Sequence, residues 1–144
     1  MPKVTAELTS GTLVTISNGR HIWRADEPPE AKGTDLAPNP HEPLLGALSA
    51  CTCITLSLYC QHKGIPLKSV SARYEFKRVH ADDDCDGCEN DRGGRVEQVT
   101  SFIRIAGDLD DSQRQRLTQI AQRCPVHKSL AQGMRLVDRV EFST

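Results

Sequence analysis

Residues 39–64 read NPHEPLLGALSACTCITLSLYCQHKG, and from Pro43 to His62 the stretch contains no Asp, Glu, Lys or Arg in a chain that is 26% charged as a whole. Such a run predicts a buried helix. Proline is tolerated in the first turn, where its missing N–H has no intrahelical partner. Asn39 or Glu42 can serve the start, and Lys63-Gly64 closes the other end. A transmembrane span needs about 20 mostly apolar residues, and the length fits. However, Ser49, Thr52, Thr55, Ser57 and Gln61 dilute the run and no aromatic belt flanks it, so a membrane is disfavoured. Two readings compete: a core helix whose cysteines pack as small hydrophobes, or a helix carrying a reactive thiolate.

With 144 residues the chain is expected to form one domain over 1–144, long enough to bury a core. A net charge of −1 gives no global pull toward nucleic acid or anionic lipid. Three Phe, two Tyr and one Trp provide no stacking platform for single strands, which also argues against nucleic acid as a partner. The start, Met-Pro-Lys-Val-Thr-Ala-Glu, lacks a basic region followed by an apolar core and cleavage site, which predicts a cytoplasmic protein. In a reducing compartment, six cysteines point to redox chemistry, metal binding or simple burial before a disulfide framework.

Outward from the helix, residues 3–8 and 13–16 alternate loosely around Ser10-Gly11, and Asn18-Gly19 is a strong turn signal before a third short extended segment. Residues 27–40, with four prolines and Gly33, predict a loop. After the helix, 68–80 alternates with a period of two. Residues 97–106 repeat this less cleanly, with Val99, Ser101, Ile103 and Ile105 on one side and Phe102 on the other, so the two runs predict long antiparallel neighbours. Between them, 81–94 is an acidic tip holding Cys85-Asp86-Gly87-Cys88. Residues 108–123 predict a second helix, capped by Asp110 or Asp111, with Leu109, Leu117, Ile120 and Ala121 as its apolar stripe. Pro125 breaks it at Cys124. A short helical segment over 126–132 follows, ending at Gly133, and then a last strand over 134–142. The order βββ-α-ββ-α-α-β implies an α+β fold with a mainly antiparallel sheet, a buried central helix and a second C-terminal helix.

Several groups carry possible chemistry. At about 100° per residue, Cys53 points roughly 200° away from Cys51 and shares a face with Cys60, so no single pocket uses all three. A thiol is nucleophilic only as thiolate, which needs a cation, hydrogen-bond donors or a helix N-terminus nearby. Cys51 lies two turns into its helix and gains none of these locally. Cys124 starts a helical segment beside Arg123, His127 and Lys128, so local sequence makes it a better candidate thiolate than Cys51, although a buried structural thiol is the stronger reading of it. Cys85, Cys88, Cys124 and His127 could form a tetrahedral Cys3His zinc site, although the second pair falls at a helix junction rather than on a matching turn. Glu42 with His41 opens the first helix, where a carboxylate is favourable with the dipole. It is too far along that helix to touch Cys51 directly.

The segments Asn39-Pro40-His41-Glu42-Pro43-Leu44-Leu45-Gly46-Ala47-Leu48-Ser49-Ala50-Cys51-Thr52 and Arg123-Cys124-Pro125-Val126-His127-Lys128-Ser129-Leu130 together resemble the OsmC/Ohr family, in its general OsmC-like branch. Ala25-Asp26-Glu27-Pro28 and Gly107-Asp108-Leu109-Asp110 fit the same resemblance. It implies thiol-dependent reduction of organic hydroperoxides, without a cofactor, by an intertwined α+β homodimer with sites at the subunit interface. By position, Cys51 corresponds to the peroxidatic cysteine and Cys124 to the resolving one, with an external dithiol of lipoyl or thioredoxin type as reductant. Glu42 matches the acidic residue of the general OsmC-like branch, while His41 stands where the hydroperoxide reductases have theirs. Their activating arginine follows the first strand, where this chain reads Thr9-Ser10-Gly11-Thr12, so Arg20 and Arg24 are substitutes by proximity in sequence. The alternative implied by the residues alone is a dimer that binds a small molecule or zinc and whose cysteines do not cycle.

Overall fold

The computed structural model describes residues 1–8, 10–80 and 94–143, which fall into two compact units, Met1–Ala47 and Leu48–Thr144. The first unit is a three-stranded antiparallel sheet in the order β1 (Thr5–Glu7), β2 (Val14–Ser17), β3 (Ile22–Ala25). The Asn18-Gly19 signal is realised as a side-chain turn. Asn18 Oδ1 accepts the backbone N–H groups of Arg20 at 2.9 Å and His21 at 2.7 Å, and this sets the register Ser17↔Ile22.

The proline-rich loop that follows carries a 3-10 turn at Pro29–Ala31 and is organised around Asp26. This carboxylate, 2% exposed, accepts from Thr12 Oγ1 and Thr34 Oγ1 at 2.5 Å each and from the N–H groups of Glu27 at 2.7 Å and Leu36 at 3.2 Å. The Thr12 and Thr34 hydroxyls, with the Glu27 and Leu36 amides, hold its pKa far below the usual carboxylate range against the opposing effect of desolvation. A buried charge met by this many donors is satisfied without a cation.

Helix α1 (His41–Lys63) begins where Asn39 Oδ1 accepts the N–H of His41 at 3.1 Å and of Glu42 at 3.3 Å, so Asn39 rather than Glu42 serves the start. It ends at Gly64, whose φ of 65° lets Ile65 N–H reach back to the Cys60 carbonyl at 2.9 Å. Within this one chain the burial of α1 is one-sided. Leu48, Thr52, Leu56 and Cys60 form a buried stripe at intervals of four, whereas Ile54 and Leu58 remain 58% and 59% exposed. The helix is long and apolar enough to cross a membrane by length and composition. The Ser, Thr and Gln residues along it and the fully buried Thr52 also fit a core helix with a second apolar face.

In the second unit, β4 (Leu67–His80) and β5 (Arg95–Gly107) pair antiparallel from Leu67↔Gly107 to His80↔Arg95. The pairs Val70↔Ile105, Ala72↔Ile103 and Phe76↔Val99 fall on one face, and Arg73↔Phe102 on the other, as the alternation predicts. The Arg73 guanidinium lies over the Phe102 ring, 4.3 Å from its centroid. Helix α2 (Asp111–Ala121) is capped by Asp110 in a reciprocal box with Gln113, each side chain accepting the other's backbone N–H. Its residues Leu117, Ile120 and Ala121 join Leu109, Leu56 and Cys60 in the core, with Val70, Ile103 and Ile105 packed against it. Each fully buried leucine there contributes about 1.5–3 kcal/mol.

Cys124 then starts helix α3 (Pro125–Gln132), in which Pro125 occupies the first turn and Gly133 follows the last. The expected strand over 134–142 is corrected: residues 133–143 form no strand and all are exposed. Alternation alone does not make a strand. Its N–H and C=O groups need a neighbouring edge, and the described chain supplies none to this segment. The tip over 81–94, with Cys85 and Cys88, lies outside the described residues apart from residue 94.

Candidate thiol site

The buried stripe of α1 brings Thr52 and its neighbour Cys51 against the start of α3. Cys51 neighbours Cys124, the Val126 backbone N–H and the Thr55 hydroxyl, each close enough to act on its thiol. Burial pushes the Cys51 thiol up from its ordinary value and the Cys124 sulfur pushes it further, while the Val126 N–H and Thr55 hydroxyl oppose the shift. Cys51 is partly accessible, whereas Cys124 is fully buried.

Cys124 caps its own helix. With φ −64° and ψ 141° it is extended, and its Sγ accepts the His127 N–H at 3.2 Å. Pro125 imposes this geometry, because its ring disfavours helical backbone in the preceding residue. A second donor comes from α1: Thr52 Oγ1 lies 3.7 Å from Cys124 Sγ and itself accepts from Tyr74 Oη at 2.9 Å. Burial raises the Tyr74 pKa, and the Cys124, Cys53 and Cys51 sulfurs add to this against the opposing Thr52 bond, so the phenol stays a donor at neutral pH. The described cysteines, Cys51, Cys53, Cys60 and Cys124, are all free thiols.

The remaining expected residues are dispersed. Cys53 is partly buried beside Tyr74, and Cys60 is 2% exposed in the core, where burial alone raises its thiol. Neither is among the groups that act on the Cys51 thiol. His41 and Glu42 lie exposed at the start of α1, Arg20 is exposed in the turn before β3, and Arg24 is exposed on β3 opposite Thr15. All four belong to the first unit. Among the described residues no three His, Cys, Asp or Glu side chains gather to hold a metal, and Cys85 and Cys88 of the zinc alternative lie outside them.

Sequence reasoning missed the roles of Thr52 and Tyr74. Thr52 carried a signal in its position next to Cys51, on the face that the buried stripe follows. Tyr74 carried none beyond its place on the inner side of an alternating strand, because its contact with Thr52 spans 22 residues.

The site is thus a thiol on a long apolar helix beside a second thiol at the N-terminus of a short one, in a mixed α+β fold. The family model for OsmC-like protein matches residues 33–137, and the chain belongs to the OsmC family. It is similar in structure to an OsmC-like protein from Mycoplasma pneumoniae, with a TM-score of 0.70, 20% identity, and 91% of this chain and 87% of that chain covered. It is also similar to the organic hydroperoxide resistance protein OsmC from Legionella pneumophila (TM-score 0.63, 19% identity, 90% and 88% covered). A third similar structure is the organic hydroperoxide resistance protein OhrB of Bacillus subtilis (TM-score 0.58, 22% identity, 90% and 89% covered). At these identities the likeness concerns the fold. No curated protein matches the chain by sequence.

Proposed function

We propose that this chain is a cytosolic thiol-dependent peroxide reductase acting on organic hydroperoxides through a Cys51/Cys124 thiol-disulfide cycle. The observation that carries the reading is that the Cys51 and Cys124 thiols are neighbours in a chain of the OsmC family. Some similar structures are of organic hydroperoxide resistance proteins, which supports the choice of substrate. In the first step the Cys51 thiolate attacks the terminal peroxide oxygen. The O–O bond breaks, the alkoxide takes a proton to leave as alcohol, and Cys51 becomes a sulfenic acid. Cys124 then displaces hydroxide, which leaves as water, and the disulfide forms. An external dithiol of lipoyl or thioredoxin type returns both thiols by exchange, becoming a disulfide itself.

Burial holds the Cys51 thiol high, so the first step needs a cation. Arg20 and Arg24 are the proposed sources, with Glu42 to orient the guanidinium and His41 beside it for substrate binding. The working unit is an intertwined homodimer of a single OsmC-like domain. This is supported by the exposed Ile54 and Leu58 on an uncharged helix and by the apolar residues Leu136, Val137, Val140 and Phe142 exposed in the C-terminal segment.

Mass spectrometry of alkylated protein, before and after one equivalent of an organic hydroperoxide, tests the cycle. The expected result is a Cys51–Cys124 disulfide that a dithiol reverses. Free thiols at both positions after treatment would overturn it.

A further inference from the structure

The cap of α3 is a sulfur atom. Of the residues that open this helix, Pro125 has no N–H, Val126 has its N–H beside Cys51, and the His127 N–H is held by Cys124 Sγ at 3.2 Å. Sulfur is a weak acceptor. Little else holds α3: it is eight residues long, too short to be stable alone, and none of its residues is fully buried. By contrast, α1 is anchored by the buried Leu48, Thr52, Leu56 and Cys60. Cys51 and Cys124 are both free thiols. A disulfide between them requires the sulfurs to close to about 2.05 Å with a Cβ–S–S–Cβ dihedral near 90°. Cys51, on the anchored helix, sets that geometry, so the movement falls on Cys124 and α3. Turning Cys124 Sγ toward Cys51 takes it off the His127 amide. Thr52 Oγ1, 3.7 Å from the same sulfur, has a replacement acceptor in the carbonyl four residues earlier in its own helix. The His127 N–H, in the first turn, has no partner within α3. Access to the bond matters too. Cys124 is fully buried in the reduced protein, whereas an external dithiol has to reach a disulfide sulfur to break the bond.

We propose that α3 is a redox-operated latch: capped by Cys124 while both thiols are reduced, and loosened at its first turn by the Cys51–Cys124 disulfide, which opens that bond to the reducing dithiol. Its place in turnover rests on the peroxide-reductase reading, but the uncapping depends on the disulfide alone, whichever oxidant forms it. Forming the bond removes two electrons and two protons from the pair of thiols, and an organic hydroperoxide takes them up as alcohol and water. In the return step one thiolate of the external dithiol attacks a disulfide sulfur, and its second thiol displaces the first from the mixed disulfide. Both protein thiols regain their protons, the external dithiol leaves as a disulfide, and Cys124 Sγ returns to the His127 amide.

Amide hydrogen exchange read residue by residue by NMR tests the latch on the full-length protein, reduced and after diamide. This azo oxidant takes the same two electrons and two protons and forms the disulfide without peroxide. Peptide mapping locates the Cys51–Cys124 link, and Cys51→Ser treated in parallel reports oxidation of the other cysteines. In the linked protein the amide of His127, and that of Lys128, which bonds the Cys124 carbonyl at 3.1 Å, exchange about tenfold faster, the size of a lost helix cap. The α1 amides from Leu48 to Cys60 keep their rates. Equal rates at His127 and Lys128 in the two states would overturn the proposal. So would acceleration spread equally over α1, the same acceleration in diamide-treated Cys51→Ser, or failure of diamide to link the two cysteines. Absence of peroxide turnover, with the faster exchange present in the diamide-linked protein, would overturn the peroxide-reductase reading and leave the latch standing. Turnover with unchanged exchange would do the reverse.

Discussion

Thr52 and Cys124, 72 residues apart in sequence, meet in the interior with Oγ1 3.7 Å from Sγ, so one hydrogen bond ties the middle of α1 to the first residue before α3. Removing the sulfur strands two donors, Thr52 O–H and His127 N–H. Cys124→Ala is therefore expected to destabilise the reduced protein by about 1–3 kcal/mol, the cost of a buried donor left unpaired. Cys124→Ser, which keeps an acceptor there, loses less. Urea denaturation of the two variants under reducing conditions checks the order, and equal losses would contradict it.

The two thiols have unequal roles in the proposed cycle. Cys51→Ser removes the atom that attacks peroxide, and hydroperoxide consumption is expected to fall by at least roughly a hundredfold. Cys124→Ser leaves one oxidation per chain, visible as about one equivalent of alcohol formed in a burst, followed by a stall at the sulfenic acid. Steady turnover by either variant at the wild-type rate would rule out the cycle. Alanine at Arg20 and at Arg24, assayed separately, identifies which cation activates Cys51.

Asp26 makes the first unit sensitive to acid. Its carboxyl ionises well below the ordinary value of 3.8 because hydroxyl and amide donors surround it. A group whose pKa is depressed on folding contributes stability that is fully present above its unfolded value and is lost as the pH falls through its folded one. The unfolding midpoint temperature is expected to hold steady above about pH 5 and to drop progressively below that. Asp26→Asn, which cannot ionise, should be less stable at neutral pH and should lose part of this acid dependence. Thermal melts across pH 2–7, followed by circular dichroism, measure both.

Gly107 ends β5 where the backbone of the neighbouring chain segment leaves no room for a side chain. A Cβ there would sit 2.4 Å from the Pro66 carbonyl oxygen, a backbone atom that cannot swing away. Gly107→Ala is expected to cost about 1–3 kcal/mol, in the range for overpacking, read as a lower denaturant midpoint. A variant as stable as the parent would show that the Pro66 turn can give.

The exposed side of α1 tests the homodimer. Ile54 and Leu58, one helical turn apart, are 58% and 59% exposed. Leu58→Glu places a charge in what the homodimer reading makes an interface, so sedimentation velocity should detect monomer where the parent protein sediments as a dimer. Identical sedimentation would place the interface elsewhere.

Much of the fold was legible locally. The charge-free run and its Asn39 and Gly64 boundaries, the Asn18-Gly19 turn, the two long alternating strands, the Asp110 cap and the Pro125 break each depend on residues within a few positions of one another. Local sterics and hydrogen bonding therefore determine them. The thiol site was half legible. Helical periodicity separated Cys51 from Cys53 and Cys60, and the two cysteine segments carried the family resemblance. Only the tertiary structure decided that Cys51 and Cys124 are neighbours, that Tyr74 hydrogen-bonds Thr52 and Thr52 hydrogen-bonds Cys124, and that burial raises the Cys51 thiol. Those outcomes depend on which faces of distant elements meet and how much water their contact excludes, and no local pattern encodes either. Residues 134–142 show the same limit from the other side: the alternation of a strand was present, and the edge that would have completed it was not.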